Sequence, residues 1–165
     1  MSVVLLSGRK DHLFSNGLFL ERISISVKYN NRVFAGIVTS IGGQKYVIPL
    51  TSQTTEARAK EGKKKRSSLI TTFVEDGDGE IANLLYNNMF PVLDTVIKRV
   101  DIDPLVDTYC ANEIRYIRKN WEDIESKAQS VYNERYDSNS RNYSFLNKVC
   151  CDYKILEQEY KKYTV

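Results

Sequence analysis

One histidine, three cysteines, three prolines and a single tryptophan are all that this chain of 165 residues offers of its scarcer residue types. Each shortage closes a class of chemistry. His12 has no catalytic partner near it in sequence, so a histidine-centred triad has too little to work with. The same shortage makes a zinc site improbable. Cys150 and Cys151 are adjacent and Cys110 stands alone, which gives neither a disulfide framework nor a CxxC pair. No metal or cofactor is therefore expected. Long apolar runs are missing too. Val3 to Leu6 is the one continuous apolar stretch near the start, too short for a signal core or a membrane span. The expected setting is the cytoplasm, with no membrane partner. The net charge of +3 is too small to demand a nucleic acid by itself.

What is present suffices for one domain over 1–165, β-rich in 1–102 and helical in 103–165, because 42% hydrophobic residues can fill a core of this size. Ser24 to Val27 alternates polar and apolar, Val33 to Ser40 reads as a short buried strand, and Gly42-Gly43 turns it into Lys45 to Leu50. Ser67 to Val74 and Asn88 to Val92 read as further strands. Between them, Asp76-Gly77-Asp78-Gly79 has hairpin composition and lacks the later ligands of a calcium loop. Short strands at this spacing suggest a small, curved or barrel-like sheet. After Asp103-Pro104 the period becomes helical. Ile114, Ile117, Trp121, Ile124, Ala128 and Val131 predict one long amphipathic helix, with Asp103 and Pro104 as its start signal. The stretch Asp137 to Tyr143 breaks it, and Phe145, Val149, Tyr153, Leu156 and Tyr160 predict a second helix. The fold class is α+β.

The most informative stretch is Tyr46-Val47-Ile48-Pro49-Leu50-Thr51-Ser52, an apolar strand that ends in two hydroxyls and runs into a basic segment. Pro49 belongs near a strand end or an edge. Thr51-Ser52 then stands where a rigid scaffold passes into a loop, although the same pair also suits an ordinary turn. Beyond it, Arg58, Lys60, Lys63, Lys64, Lys65 and Arg66 face only Glu56 and Glu61, a local excess of +4. Such a run can track a phosphate backbone; a solvated mobile loop and a nuclear import signal are its other readings. RNA cleavage fits the scarcity of histidine. The 2′-hydroxyl of RNA is a built-in nucleophile, so a protein need only align it, help move protons and stabilise phosphoryl charge.

Several segments in order resemble one family, the type III toxin–antitoxin toxins of the ToxN/AbiQ (CptN-like) type. They are Lys28-Tyr29-Asn30-Asn31-Arg32-Val33-Phe34 with Gly36-Ile37-Val38; Lys45-Tyr46-Val47-Ile48-Pro49-Leu50-Thr51-Ser52; Arg66-Ser67-Ser68-Leu69; Asn88-Met89-Phe90-Pro91-Val92; and, in the helical half, residues 114–120 and 151–157. The resemblance implies a fold similar to the Kid/MazF toxins: a strongly bent antiparallel sheet or small barrel, with a long C-terminal helix and a second, shorter one. It implies a metal-independent, sequence-preferring endoribonuclease that leaves 2′,3′-cyclic phosphate and 5′-hydroxyl ends and serves in abortive infection and phage defence. It also implies an RNA antitoxin, repeated and pseudoknot-like, that occupies the substrate groove, is cut from its precursor by the toxin and closes with it into a cyclic protein–RNA assembly. The implied substrate RNA is A-rich.

Carried onto matching positions, the resemblance makes Tyr29, Arg32, Thr51 and Ser52 catalytic. Thr51 and Ser52 would bond the scissile phosphate and the 2′-hydroxyl, Arg32 would neutralise developing charge, and Tyr29 would orient or relay a proton. Lys28, Gln53, Arg58, Lys60, Lys63, Lys64, Lys65, Arg66 and Ser67 would hold RNA. Two departures stand out: Arg32 replaces a common lysine, and Gln53-Thr54-Thr55-Glu56 replaces the Pro-Lys that relatives carry after Thr-Ser. The lysine's work would pass to Arg58, Lys60 or the run from Lys63 to Arg66. On residues alone, Tyr29 and Arg32 also suit strand packing and a surface charge. Two rival functions remain: a non-catalytic RNA-binding module, and an interaction protein using Trp121 and Ile124 on its helix face.

Overall fold

Gly42 and Gly43 set the centre of the sheet, because both adopt positive φ (58° and 82°). Consecutive left-handed residues match the twist of the strands they join, and glycine reaches that region without a Cβ penalty. The computed structural model describes residues 5–7, 19–25, 32–34, 36–94, 97–100, 103 and 105–160; side chains are described from 36 onward, except for 97–100. The turn joins β4 (Gly36–Ile41) to β5 (Gln44–Thr51), in register from Gly36 opposite Pro49 to Ile41 opposite Gln44. Before them come β1 (Leu5–Ser7), β2 (Phe19–Ile25) and β3 (Arg32–Phe34); after them β6 (Thr71–Asp76), β7 (Gly79–Leu85), β8 (Phe90–Pro91) and β9 (Ile97–Val100). The order across the sheet is β3-β2-β1-β4-β5-β7-β6, with β9 on β2 and β8 on β5. Pairing is antiparallel except between β1 and β4.

The core lies on both faces of the central hairpin. Tyr46, Val47 and Ile48 are fully buried in succession, as are Ile37 and Val38, the continuous pattern of a strand covered on both sides. Along its second edge β5 changes neighbour. Tyr46 and Val47 pair with β8, whereas Leu50 and Thr51 pair with β7. Pro49 falls in the gap between those partners, where its missing N–H costs no ladder bond. A register shift at Val74/Glu75 interrupts the β6–β7 ladder, which resumes with Glu75 opposite Glu80, and adds local twist. The result is the curled sheet that the sequence suggests.

Strand boundaries differ from expectation in several places: the strand expected at Ser24 to Val27 begins at Phe19, and the one expected at Val33 to Ser40 is divided into β3 and β4. The segment 67–70 is a turn in which Ser67 Oγ accepts from Leu69 N (3.2 Å), so β6 starts only at Thr71. Residues Tyr86–Asn88 form a 3-10 turn, and only Phe90–Pro91 pair as strand. The reason is local: Asn87 and Asn88 favour turns, and Asn87 is spent on the helical layer, its carbonyl accepting from Cys151 N (2.9 Å). The hairpin at Gly77-Asp78 forms as expected, closed by Asp76 Oδ1 accepting from Asp78 N and Gly79 N.

The helical half is more broken than its periodicity implies. One long helix was expected; two are present, α2 (Thr108–Lys119) and α3 (Trp121–Glu134), after α1 (Thr55–Lys60) in the β-rich half. The break is Asn120, whose side chain donates to Tyr116 O (2.8 Å) while its own carbonyl accepts from Ile124 N. Ile117, Ile124, Ala128 and Val131 stay buried across it, so the apolar stripe is blind to the interruption. The start also moves: Asp107, accepting from Cys110 N (3.0 Å), caps α2, while Asp103 makes a turn before it. The second expected helix divides likewise into α4 (Tyr143–Val149) and α5 (Tyr153–Glu159), parted by extended Cys150 and by Asp152, which caps α5. Leu146 is buried, whereas Phe145 is exposed. Ile124 is core and Trp121 packs on the core, which counts against the rival reading of that helix face as a partner surface.

Glu113 on α2 is a buried acid. Burial pushes its carboxyl up to about 7; the Tyr109 hydrogen bond opposes that and Asp107 adds to it. For an acid whose folded-state pKa is raised, the unfolded chain releases its proton first, so stability falls as pH rises from about 4.5 to above 7. Glu113→Gln is expected to flatten that fall and to stabilise the protein by on the order of 2 kcal/mol at pH 8. Urea unfolding of both proteins at pH 5 and pH 8 checks it; parallel curves would show that Glu113 is not the titrating group.

Candidate nucleic-acid site at the end of β5

Thr51 is the last residue of β5, paired in register with Asn83 of β7. It is half-buried, and its Oγ1 accepts from Gln53 N (3.2 Å). Ser52 is exposed; its carbonyl accepts from Thr54 N (3.0 Å), so the chain turns at once. Thr54 then caps α1, its Oγ1 accepting from Ala57 N (3.2 Å), and Thr55 N donates to Glu80 Oε1 (2.7 Å). The hydroxyl pair therefore sits on a corner fixed from both sides.

The basic segment is helical at its start and without regular structure from Lys63 to Arg66. It is α1 followed by a reversal at Gly62 (φ 70°), where Lys63 N and Glu61 N both donate to Arg58 O. Its cations have separate fates. Lys60 pairs with Glu56 (2.8 Å) and Lys63 with Glu61 (2.6 Å), both at the surface, where such pairs contribute little. Lys64 is exposed, its carbonyl accepting from Arg58 Nε (3.0 Å). Lys65 Nζ lies 4.7 Å from the centre of the Phe73 ring. Arg58 and Arg66 instead fold back onto Gln53.

Gln53 is the hub of this corner. Its Oε1 accepts from Arg58 Nη1 (3.2 Å) and from Arg66 Nη2 (3.0 Å). Its main-chain carbonyl accepts from Arg66 Nη1 (2.7 Å) and from Asn83 Nδ2 (3.0 Å), and its Nε2 donates to Glu61 (2.9 Å). Two guanidiniums thus share one neutral oxygen. Burial, then the nearby Arg58, push the Arg66 pKa down, and Glu80 offsets part of this. Neither arginine has an ion pair among the described residues.

Of the expected site residues, the structure brings together Thr51, Ser52, Gln53, Arg58 and Arg66. Lys60, Lys63, Lys64 and Lys65 flank them, and Ser67 is committed to its own turn. Arg32 opens β3 opposite Ile25; its side chain, and Lys28 and Tyr29 entirely, lie outside the described residues. Asn83 and Glu80 escaped the sequence reading. Both lie on β7, whose stretch Gly79–Leu85 carries no alternation, and Asn83 is fully buried with Oδ1 unpartnered among the described residues. The corner offers hydroxyl donors and concentrated positive charge, which suits a phosphodiester. Among the described residues no group of three or more His, Cys, Asp or Glu could hold a metal ion, and no helix is long and apolar enough to cross a membrane.

Known proteins share this architecture. Residues 20–161 match a protein family described as toxin ToxN of type III toxin–antitoxin systems. An endoribonuclease ToxN from Bacillus thuringiensis subsp. kurstaki is 27% identical over 158 residues, covering 88% of this chain and 78% of that protein. A solved structure of a bacterial type III toxin, selectively inhibited by a non-coding RNA pseudoknot, superposes with a TM-score of 0.65 at 27% identity, covering 82% of each chain. AbiQ, a lactococcal anti-phage endoribonuclease of a type III system, shares the fold with a TM-score of 0.63 at 23% identity, covering 85% of this chain and 86% of that one.

Proposed function

The chain belongs to the ToxN toxin family of type III toxin–antitoxin systems, and on that premise we infer that it is an endoribonuclease controlled by an RNA antitoxin. It cleaves RNA by in-line attack of a 2′-oxygen on the adjacent phosphorus. The 2′-O–P bond forms as the P–O5′ bond breaks; the 2′-hydroxyl gives up its proton and the 5′-oxygen takes one up. The ends are a 2′,3′-cyclic phosphate and a 5′-hydroxyl, and no metal is needed. Thr51 and Ser52 bond the scissile phosphate and the 2′-hydroxyl, Arg32 offsets phosphorane charge, and Tyr29 orients or relays a proton. The antitoxin, a repeated pseudoknotted RNA, fills the same groove, is trimmed by the toxin and closes with it into a cyclic assembly. The reaction serves phage defence in the cytoplasm.

One observation carries this reading: Ser52 is exposed at a fixed corner, next in sequence to Gln53, on which two guanidiniums without an ion pair among the described residues converge. That is a donor set without an anion, and RNA supplies one. The test is incubation of purified protein with A-rich RNA in excess EDTA, alongside a Thr51→Ala, Ser52→Ala double variant, followed by analysis of the product ends. Metal-independent cutting to cyclic phosphate ends, lost in the double variant, is the expected result. Binding without cutting would replace the enzyme with an RNA-binding module.

A further inference from the structure

We propose that Arg58 and Arg66, set by Gln53, together supply the cation at the scissile phosphate that this chain lacks directly after Thr51-Ser52. The proposal rests on the endoribonuclease reading and adds to it the identity of the groups that neutralise the transition-state charge. Six cations lie between 56 and 66, and the structure separates them. Lys60 and Lys63 are held by Glu56 and Glu61, and Lys65 lies over Phe73. The two arginines converge on Gln53, the residue directly after Ser52.

A purely structural cluster would normally place a carboxylate between two guanidiniums, since like charges repel and a charged acceptor bonds both better. Here the bridging atom is the neutral Oε1 of Gln53. The nearer carboxylates are engaged elsewhere: Glu61 with Lys63 and Gln53 Nε2, Glu80 with Thr55 N and Asn83 Nδ2. The pair is also rigid. Arg58 is tied through Nε to Lys64 O, and Arg66 grips both oxygens of Gln53. Arg58 Nη2 and Arg66 Nε make no hydrogen bond among the described residues. A bridging neutral amide holds the guanidiniums without an ion pair among the described residues; Glu80 and Glu61 act on them only through space, which leaves the pair with charge to offer an anion. Arg58 Nη2 and Arg66 Nε are each left to donate to a phosphate oxygen, and a charge that is not readily deprotonated is suited to electrostatic stabilisation rather than proton transfer.

Gln53 is accordingly a positioning residue, and Gln53→Glu separates a catalytic cluster from a scaffolding one. A carboxylate there keeps both arginine contacts and offsets one of their two charges, at the cost of the Nε2 donor to Glu61. If the cluster is only scaffold, the variant should cleave as the wild type does. The expected result, read at a temperature where the variant is still folded, is a loss in single-turnover cleavage rate of about 100-fold. Arg58→Met and Arg66→Met, which keep the aliphatic stem, should each lose about 10- to 100-fold. Each should also lower the log–log salt slope of RNA binding by about 0.7, one phosphate contact on a single strand. Wild-type cleavage by Gln53→Glu and both methionine variants would overturn the proposal and leave the nuclease standing. Absence of cutting by the wild-type protein would overturn the nuclease reading, and this proposal with it.

Discussion

Ser52→Ala is expected to slow RNA cleavage by about 100- to 1,000-fold, the loss typical of one preorganised transition-state donor, without changing the melting temperature. The two halves of that expectation come from one structural fact. The Ser52 side chain is exposed and makes no hydrogen bond among the described residues, while its main chain holds the turn by accepting from Thr54 N. Alanine preserves that main-chain bond and removes only the hydroxyl. Thr51 is different, because its Oγ1 accepts from Gln53 N. Thr51→Ala should therefore lose activity and also about 0.5–1.5 kcal/mol of stability, since the corner that carries Gln53 loosens. Single-turnover cleavage beside thermal unfolding separates these effects. A Ser52→Ala protein that cuts at the wild-type rate would remove Ser52 from the reaction.

Gly36→Ala should be the most damaging single methyl group in the sheet, at about 3–5 kcal/mol, the upper end of single-residue effects. Gly36 opens β4 opposite Pro49. A Cβ there would overlap the Ile48 carbonyl oxygen and stand 2.8 Å from Val47 Cγ1 and 2.9 Å from the Ile48 carbonyl carbon. Two of those neighbours are backbone, so no rotamer change relieves the clash. Strands β4 and β5 must part, and the strand that parts carries Thr51 at its end. Urea denaturation reads the loss directly, and cleavage at a temperature where the variant is still folded should also fall. A change below about 1 kcal/mol would mean that the hairpin yields more than its packing density allows.

The sequence disclosed features that a few residues decide locally, and hid those decided by tertiary contact. Gly42-Gly43 had one good use, a tight hairpin, and it appears there. The helical stripe from Ile114 to Val131 was legible as a buried face, but the break at Asn120 was not, because its apolar steps pass through the break unchanged. Strand β7 was missed for a similar reason: Gly79–Leu85 is covered unevenly and places a buried asparagine where alternation would look for an apolar residue. At the site, Thr51-Ser52 stood out as hydroxyls at a strand end. Gln53 registered only as a departure from an expected Pro-Lys, although it organises the corner. Its importance depends on Arg66 and Asn83, thirteen and thirty residues away, and no local pattern encodes a contact of that kind.

The change of neighbour along β5 has a consequence for how activity can be lost. Tyr46 and Val47 are clamped by β8, but Leu50 and Thr51 are clamped by β7, which is otherwise joined to β6. Thermodynamically, the tip of β5 therefore belongs with the β6–β7 hairpin rather than with the central strands. Partial opening of that hairpin would release Thr51, Asn83 and the Gln53 carbonyl together and leave the β4–β5 core closed. Such local openings cost less than global unfolding. On the role proposed for Thr51, such an opening would stop cleavage without unfolding the chain.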